Sequence, residues 1–242
     1  MRQIASDYGT LRVGDLNETF RAMVDVLRSA QVGSNKPITV GLSGGSTPKA
    51  FYQWAVREKA LPESVWKNCL WLTSDERQVP ASSDDSNFGN ADRMLLTPLG
   101  VPAAAKLPWP VDLPPAACAA AFNKMWSARF GATTGFDVCF LGMGEDGHTA
   151  SLFPGCPLIG SGLTDNFAAV EWPGRGWRLT ITEAGLTRCA RVVVLANGAG
   201  KAAILKDVLQ GPFDPKKLPS QIHRAYADRV TWLIDEAAAA GL

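Results

Sequence analysis

Residues 141–154 of this 242-residue chain read L-G-M-G-E-D-G-H-T-A-S-L-F-P. An apolar run passes into a glycine-rich loop carrying Asp146 and His148, one of the chain's two histidines. A neutral imidazole near pH 7 is the natural general base for activating water. Asp146 is placed to hold the loop or to orient a side chain. A lone histidine is more often structural than catalytic. Glycines permit backbone shapes that other residues resist, and their presence after a buried-strand pattern reverses that expectation here. His223 has no such setting and is expected to be structural.

Three further segments carry polar chemistry. Residues 41–48 read G-L-S-G-G-S-T-P, between an apolar run and a helical pattern. Gly44 and Gly45 let backbone N–H groups approach an anion, and Ser43, Ser46 and Thr47 add hydroxyl donors. A helix N-terminus adds partial positive charge, and Pro48 suits a first helical turn. The spacing is neither a Walker loop nor G-x-G-x-x-G, so a nucleotide is not implied. A tight turn capped by a hydroxyl is the plain alternative. The second segment, 73–77, holds Asp75, Glu76 and Arg77. Arg77 can orient a carboxylate, a carbonyl or a phosphate, and a surface ion pair is its plain alternative. Ser86, Asn87 and Phe88 follow closely enough to line the same cleft. The third is a pair of cations, Arg178 before Thr180 and Lys201 at a helix start. Either alone would be a solvated side chain, but with the Ser/Gly loop they make a phosphate clamp.

These residues need a scaffold that gathers them. Residues 16–30 repeat apolar positions at helical spacing (Phe20, Met23, Val24, Leu27), and residues 38–42 form a buried-strand pattern. A helix is expected over 48–59, a strand over 69–73, and a polar loop entering a helix over 84–96. Residues 100–115 are rich in Pro and Ala and are expected to be extended chain packed on one domain through Leu107, Trp109 and Val111. A helix over 116–130, strands over 136–143, 167–171, 177–182 and 191–196, a helix over 199–209 and a strand over 230–234 complete the pattern. Strands apolar on both faces and separated by helices predict an α/β, Rossmann-like, doubly wound, mainly parallel sheet in a single domain spanning 1–242. Ligands in such sheets sit beyond the carboxyl ends of the strands, which is where these polar segments fall.

Bulk properties narrow the classes. The formal net charge of +1 gives no electrostatic case for nucleic acid or an anionic membrane. The five cysteines are scattered and never spaced C-x-x-C, so neither a disulfide framework nor a zinc site is expected, and a reducing, cytoplasmic compartment fits. Residues 1–10 contain no apolar leader pattern, and no apolar run approaches the ~18 residues needed to cross a bilayer.

Taken together, these motifs resemble the 6-phosphogluconolactonase family, within the group that includes glucosamine-6-phosphate deaminases and ribose-5-phosphate isomerases. The similar elements are G-L-S-G-G-S-T-P (41–48), D-E-R (75–77), S-N-F (86–88), G-M-G-E-D-G-H-T-A-S-L-F-P (142–154), R-L-T (178–180) and the G-x-x-K ending at Lys201. They occur in family order over about residues 38–205, and the 142–154 motif is the specific one. The resemblance implies hydrolysis of 6-phospho-D-glucono-1,5-lactone by a monomer, without metal or organic cofactor. It implies His148 as the base, Arg77 orienting substrate or stabilising negative charge, and Asp75 and Asp146 as supporting acids. Ser43 to Thr47, Arg178 and Lys201 would hold the phosphate. A sugar-phosphate deaminase or isomerase is the rival enzyme, but that branch resembles D-E-Y at the strand end and a glutamate where this chain has Phe153. A sugar-phosphate sensor would need a basic DNA-binding element, and the segment before Ile38 is short and not basic.

Overall fold

The computed structural model describes residues 1–242. Arg2–Ser6 (β1) and Gly9–Gly14 (β2) form an antiparallel hairpin. The helix α1, Leu16–Gln31, starts at a capping box. Asp15 accepts from the Glu18 N–H at 2.7 Å, and the Glu18 carboxylate accepts from the Asp15 N–H at 2.9 Å. There follow β3 (Ile38–Leu42), α2 (Ser46–Arg57), α3 (Glu63–Trp66), β4 (Cys69–Thr73), β5 (Asp75–Arg77) and α4 (Asn87–Ala91). The second half comprises α5 (Pro115–Phe130), β6 (Val138–Gly142), β7 (Phe167–Trp172), β8 (Gly176–Ile181), α6 (Glu183–Thr187), β9 (Val192–Ala196), α7 (Ala202–Gln210) and β10 (Val230–Asp235).

Seven strands make the main sheet in the order β1-β2-β10-β9-β6-β3-β4. All neighbours are parallel except the β1–β2 hairpin. Every residue of β3 and of β9 is buried, because helices cover both faces. Alternate side chains enter different cores. Val138 and Phe140 of β6 pack with Phe20, Phe51 and Trp54 of α1 and α2. Cys139 and Leu141 pack with Phe122 and Trp126 of α5 and with Trp232 of β10. Register at the base of the sheet is pinned by polar contacts. Thr39 donates its N–H and hydroxyl to Asp137 Oδ2 at 2.7 and 2.9 Å, and the Asp137 N–H returns a bond to the Thr39 hydroxyl at 2.9 Å.

From β3 the chain steps outward to β4 and then returns to β6 on the other side of β3. Consecutive connections therefore diverge between β3 and β6, which opens a crevice at the carboxyl ends of those strands.

The mainly parallel α/β sheet is as expected, with three differences in detail. The β1–β2 hairpin was not anticipated, since its residues alternate too weakly to signal a strand. The expected strands over 167–171 and 177–182 are present, but they join β5 in a separate antiparallel sheet, ordered β5-β8-β7. The helix expected from residue 48 starts two residues earlier, at Ser46. Residues 100–115 are largely extended and packed: Trp109 stacks on Phe122 at 3.9 Å, and the Leu107 N–H donates to the Trp71 carbonyl at 2.9 Å. All five cysteines are free and buried. No helix is long and apolar enough to cross a membrane.

His223 is fully buried, with Nδ1 at 2.7 Å from the Tyr226 hydroxyl and Nε2 without a partner. Burial pushes the imidazole down to about 3. Only the unfolded chain then takes up this proton as pH falls from 6.5 towards about 3, so this residue costs stability across that window. Thermal melts should show the midpoint falling as pH drops from about 6.5 to about 4, with a shallower slope in His223→Gln. Equal slopes would remove His223 as the source.

Candidate active site

Gly45, with φ +100°, turns the chain from β3 into α2. No side chain caps the N-terminus of α2. Ser43 is held from below, its carbonyl accepting from the buried Tyr52 hydroxyl at 2.7 Å. The capped-turn alternative for this loop is therefore not what forms. The first helical N–H groups and the Ser46 and Thr47 hydroxyls border open space, the arrangement of an anion site.

The segment after β4 is fixed by Glu76, which is 1% exposed. Its carboxylate accepts from the backbone N–H groups of Arg77, Asn87 and Phe88 at 2.8, 2.7 and 2.7 Å, and from the Ser86 hydroxyl at 3.1 Å. Burial raises its pKa, against the pull of those N–H donors. Asn87, so placed, donates from Nδ2 to the Asp75 carbonyl at 2.9 Å and lies against Gly44, where any Cβ would strike its Oδ1. The buried Asp75 carboxylate accepts from the hydroxyls of Ser151 at 2.7 Å and Ser74 at 3.3 Å. Arg77 stands opposite Arg178 in the β5–β8 pairing and donates to the Asp85 carbonyl at 2.6 Å.

The loop after β6 builds the histidine. Gly147 takes φ +77°, and the chain folds back so that the Gly144 N–H donates to the His148 carbonyl at 2.9 Å. Asp146 Oδ1 then lies 2.5 Å from His148 Nδ1 and also accepts the His148 N–H at 3.1 Å. Burial raises the Asp146 pKa, but the bond and charge of His148 outweigh it and take the carboxyl down to about 2. A carboxylate at Nδ1 selects the tautomer with the proton on that nitrogen, and the imidazole borders the cleft.

One cleft, of about 280 Å³ and mostly polar lining, gathers nearly all of these groups. Ser43, Gly44, Gly45, Ser46, Thr47, Asp75, Arg77, His148, Arg178 and Lys201 border it. Asn87 borders it as expected, but Ser86, Phe88 and Asp146 do not; Ser86 and Phe88 bond Glu76 instead, and Asp146 reaches the cleft through His148. Lys201 arrives from the turn after β9 and makes no salt bridge. Burial, then the neighbouring Arg77 charge, holds the Arg178 guanidinium below its usual range.

The residue reading missed Trp172, Arg175 and Asn197 as cleft residues, and gave no role to Ser151. The signal for Arg175 is W-P-G-R-G at 172–176. Pro173 and Gly174 (φ +72°) form a type II turn closed by the Arg175 N–H on the Trp172 carbonyl at 2.8 Å, which carries Arg175 back over the strand end.

The fold and cleft define an α/β protein with an anion site and a carboxylate-oriented histidine at the switch point of its sheet. Residues 16–232 match the model of the glucosamine-6-phosphate isomerase/6-phosphogluconolactonase family, and the chain belongs to that family. A 6-phosphogluconolactonase of Synechocystis is 33% identical over 209 residues, covering 84% of each chain. The structure of a 6-phosphogluconolactonase from Trypanosoma cruzi superposes with a TM-score of 0.83 at 25% identity, covering 98% of both chains. A monomeric glucosamine-6-phosphate deaminase superposes with a TM-score of 0.78 at 17% identity, a likeness of fold alone.

Two substitutions test this geometry. A Cβ at Gly144 would collide with His148 Nδ1 and Asp146 Oδ1, so Gly144→Ala should leave a folded protein in which the His148 ring-nitrogen signals have moved away from the wild-type tautomer pattern in the nitrogen NMR spectrum. An unchanged spectrum would refute the close approach. Glu76→Ala strands three backbone N–H groups and should cost about 3 kcal/mol in denaturant unfolding.

Proposed function

We propose that the cleft hydrolyses 6-phospho-D-glucono-1,5-lactone to 6-phospho-D-gluconate. The carrying observation is the His148–Asp146 pair, whose imidazole borders a cleft that also holds an uncapped helix N-terminus and several cations. Family membership supports the same reading.

The phosphate is held by the 43–47 loop, Arg178 and Lys201. This places the lactone carbonyl near His148. Nε2 takes a proton from water as the water oxygen attacks the carbonyl carbon. The imidazolium that forms is stabilised by Asp146, which stays ionised because its pKa is about 2. Arg77 and local N–H groups stabilise the oxyanion. The carbonyl re-forms, the ring C–O bond breaks, and the imidazolium returns its proton to the departing ring oxygen. Asp75, held by Ser151, keeps the β5 end in register with the cleft. The steps need no metal, because the base and the charge stabilisation both come from side chains. The groups invoked meet in one cleft, which supports a single domain over residues 1–242, with a monomer as the acting unit of this reading. The deaminase reading loses its extra carboxylate, since Phe153 stacks on Trp172 at 4.8 Å instead.

Purified protein with excess EDTA should hydrolyse freshly generated phosphorylated lactone well above the spontaneous rate, and unphosphorylated gluconolactone far less. His148→Ala should lower kcat by ~10²–10⁴-fold, and Asp146→Asn should lower kcat with little change in KM. Lys201→Ala and Arg178→Ala should mainly raise KM. A His148→Ala enzyme with normal kcat would remove the assigned base. A wild-type rate at background would remove the activity.

A further inference from the structure

Trp172 ends β7 at the rim of the cleft, half-buried. Its ring meets the His148 imidazole edge-to-face, with centroids 5.0 Å apart and planes at 78°. Phe153, from the same loop as His148, stacks on it at 4.8 Å and 17°. The guanidinium carbons of Arg175 and Arg178 lie over the ring at 5.0 and 5.8 Å from its centroid.

Each contact has a physical reason. The electron-rich face of an indole attracts guanidinium, and an edge-to-face partner is fixed in orientation more firmly than an aliphatic one would be. The type II turn at Pro173-Gly174 and the Trp172–Gly176 pairing hold the strand end, so the ring has little freedom to leave. The two arginines repel each other, and an anion between them relieves that repulsion. Any shift of the guanidiniums as they close on an anion is felt by the ring they rest on, and through it by the imidazole.

We infer that Trp172 is a positioning residue that sets the anion-binding arginines and His148 in one array, with Arg175 as a further substrate-binding cation. The inference rests on the lactone-hydrolase reading for its substrate. The coupling it describes does not need that substrate in order to be measured. Arg175 adds a charge at the mouth of the cleft, where it meets the phosphorylated substrate first. A neutral lactone gains nothing from that charge.

The test uses the wild type with Trp172→Ala, Trp172→Phe and Arg175→Ala. Trp172→Ala should lower kcat ~10–100-fold through loss of base positioning and raise KM as well. Trp172→Phe keeps an aromatic partner for His148 and should restore most of kcat while leaving KM raised, because phenyl is the weaker cation host. Arg175→Ala should raise KM for the phosphorylated lactone ~10-fold, with no effect on KM for unphosphorylated gluconolactone. Titration with inorganic phosphate, followed on the His148 ring proton signals, reads the coupling without turnover. His148 is easily told from the other histidine, which is buried. Phosphate should shift the His148 signals in the wild type and shift them much less in Trp172→Ala. A Trp172→Ala protein with wild-type kcat and a wild-type phosphate response overturns the inference. If that variant fails to fold, a Trp172→Phe protein with unchanged KM overturns it. A wild type inert towards the lactone, but with a phosphate response that depends on Trp172, sinks the lactonase reading and leaves the coupling standing.

Discussion

One buried carboxylate organises the cleft. Glu76 lies where water cannot reach it, and an ionised group there persists only if its oxygens are supplied with donors. Four donors converge on it from two separated stretches of chain. Meeting that demand draws residues 86–88 against β5. The consequence passes outward: Asn87 is set against Gly44, the Asp75 carbonyl is bonded, and Arg77 is aimed along the rim. The Ser/Gly loop, the short β5 strand and the cations of the rim are thus mutually located through one side chain that never touches the cleft. Glu76 does not border the cleft, yet it fixes the geometry there.

The base is oriented by a different and more local device. Its aspartate is only two residues away, and the backbone between them must double back for the side chains to meet. Gly147 supplies the positive φ and Gly144 the empty space against which the pair lies. The result is an imidazole whose tautomer is fixed by covalent proximity instead of by a remote partner. The cleft thus combines a rigid anion site, built from a helix end and the strands, with a base carried on a short closed loop.

Much of this was legible in the residues, and the parts that were not have a common cause. β3, β6 and β9 show as continuous apolar runs because both of their faces are covered, and that pattern alone implies a parallel sheet. His148, the 43–47 loop, Asp75, Arg77, Arg178 and Lys201 were found because polar residues at the ends of such runs stand out. The β1–β2 hairpin and the three-residue β5 were not legible: β1 is an edge strand with no buried residue, β2 offers only Leu11 and Val13 as buried apolar side chains, and β5 is too short to show a pattern. The separate β5-β8-β7 sheet depends on pairing between residues a hundred apart, and no local pattern encodes a partner. Arg175 and Trp172 were missed for the same reason. Each looks like an ordinary hairpin residue until the turn brings one over the other beside His148. The roles of Ser151 and of Glu76 depend likewise on contacts across the fold.

The order of strands also governs how the chain can be made. β2 pairs with β1 and with β10, so apart from its own hairpin its sheet partner is the last strand of the chain. Trp232 of β10 donates to the carbonyl of Tyr8 at 2.9 Å, across 224 residues of sequence. During synthesis β2 leaves the ribosome more than 200 residues before β10. Until then the flank of β2 and the flank of β9 stand open, with apolar residues such as Leu11 and Val194 short of their final cover. Closure of the sheet therefore waits for β10, and loss of that strand would leave two unpaired edges, on β2 and β9, within the sheet.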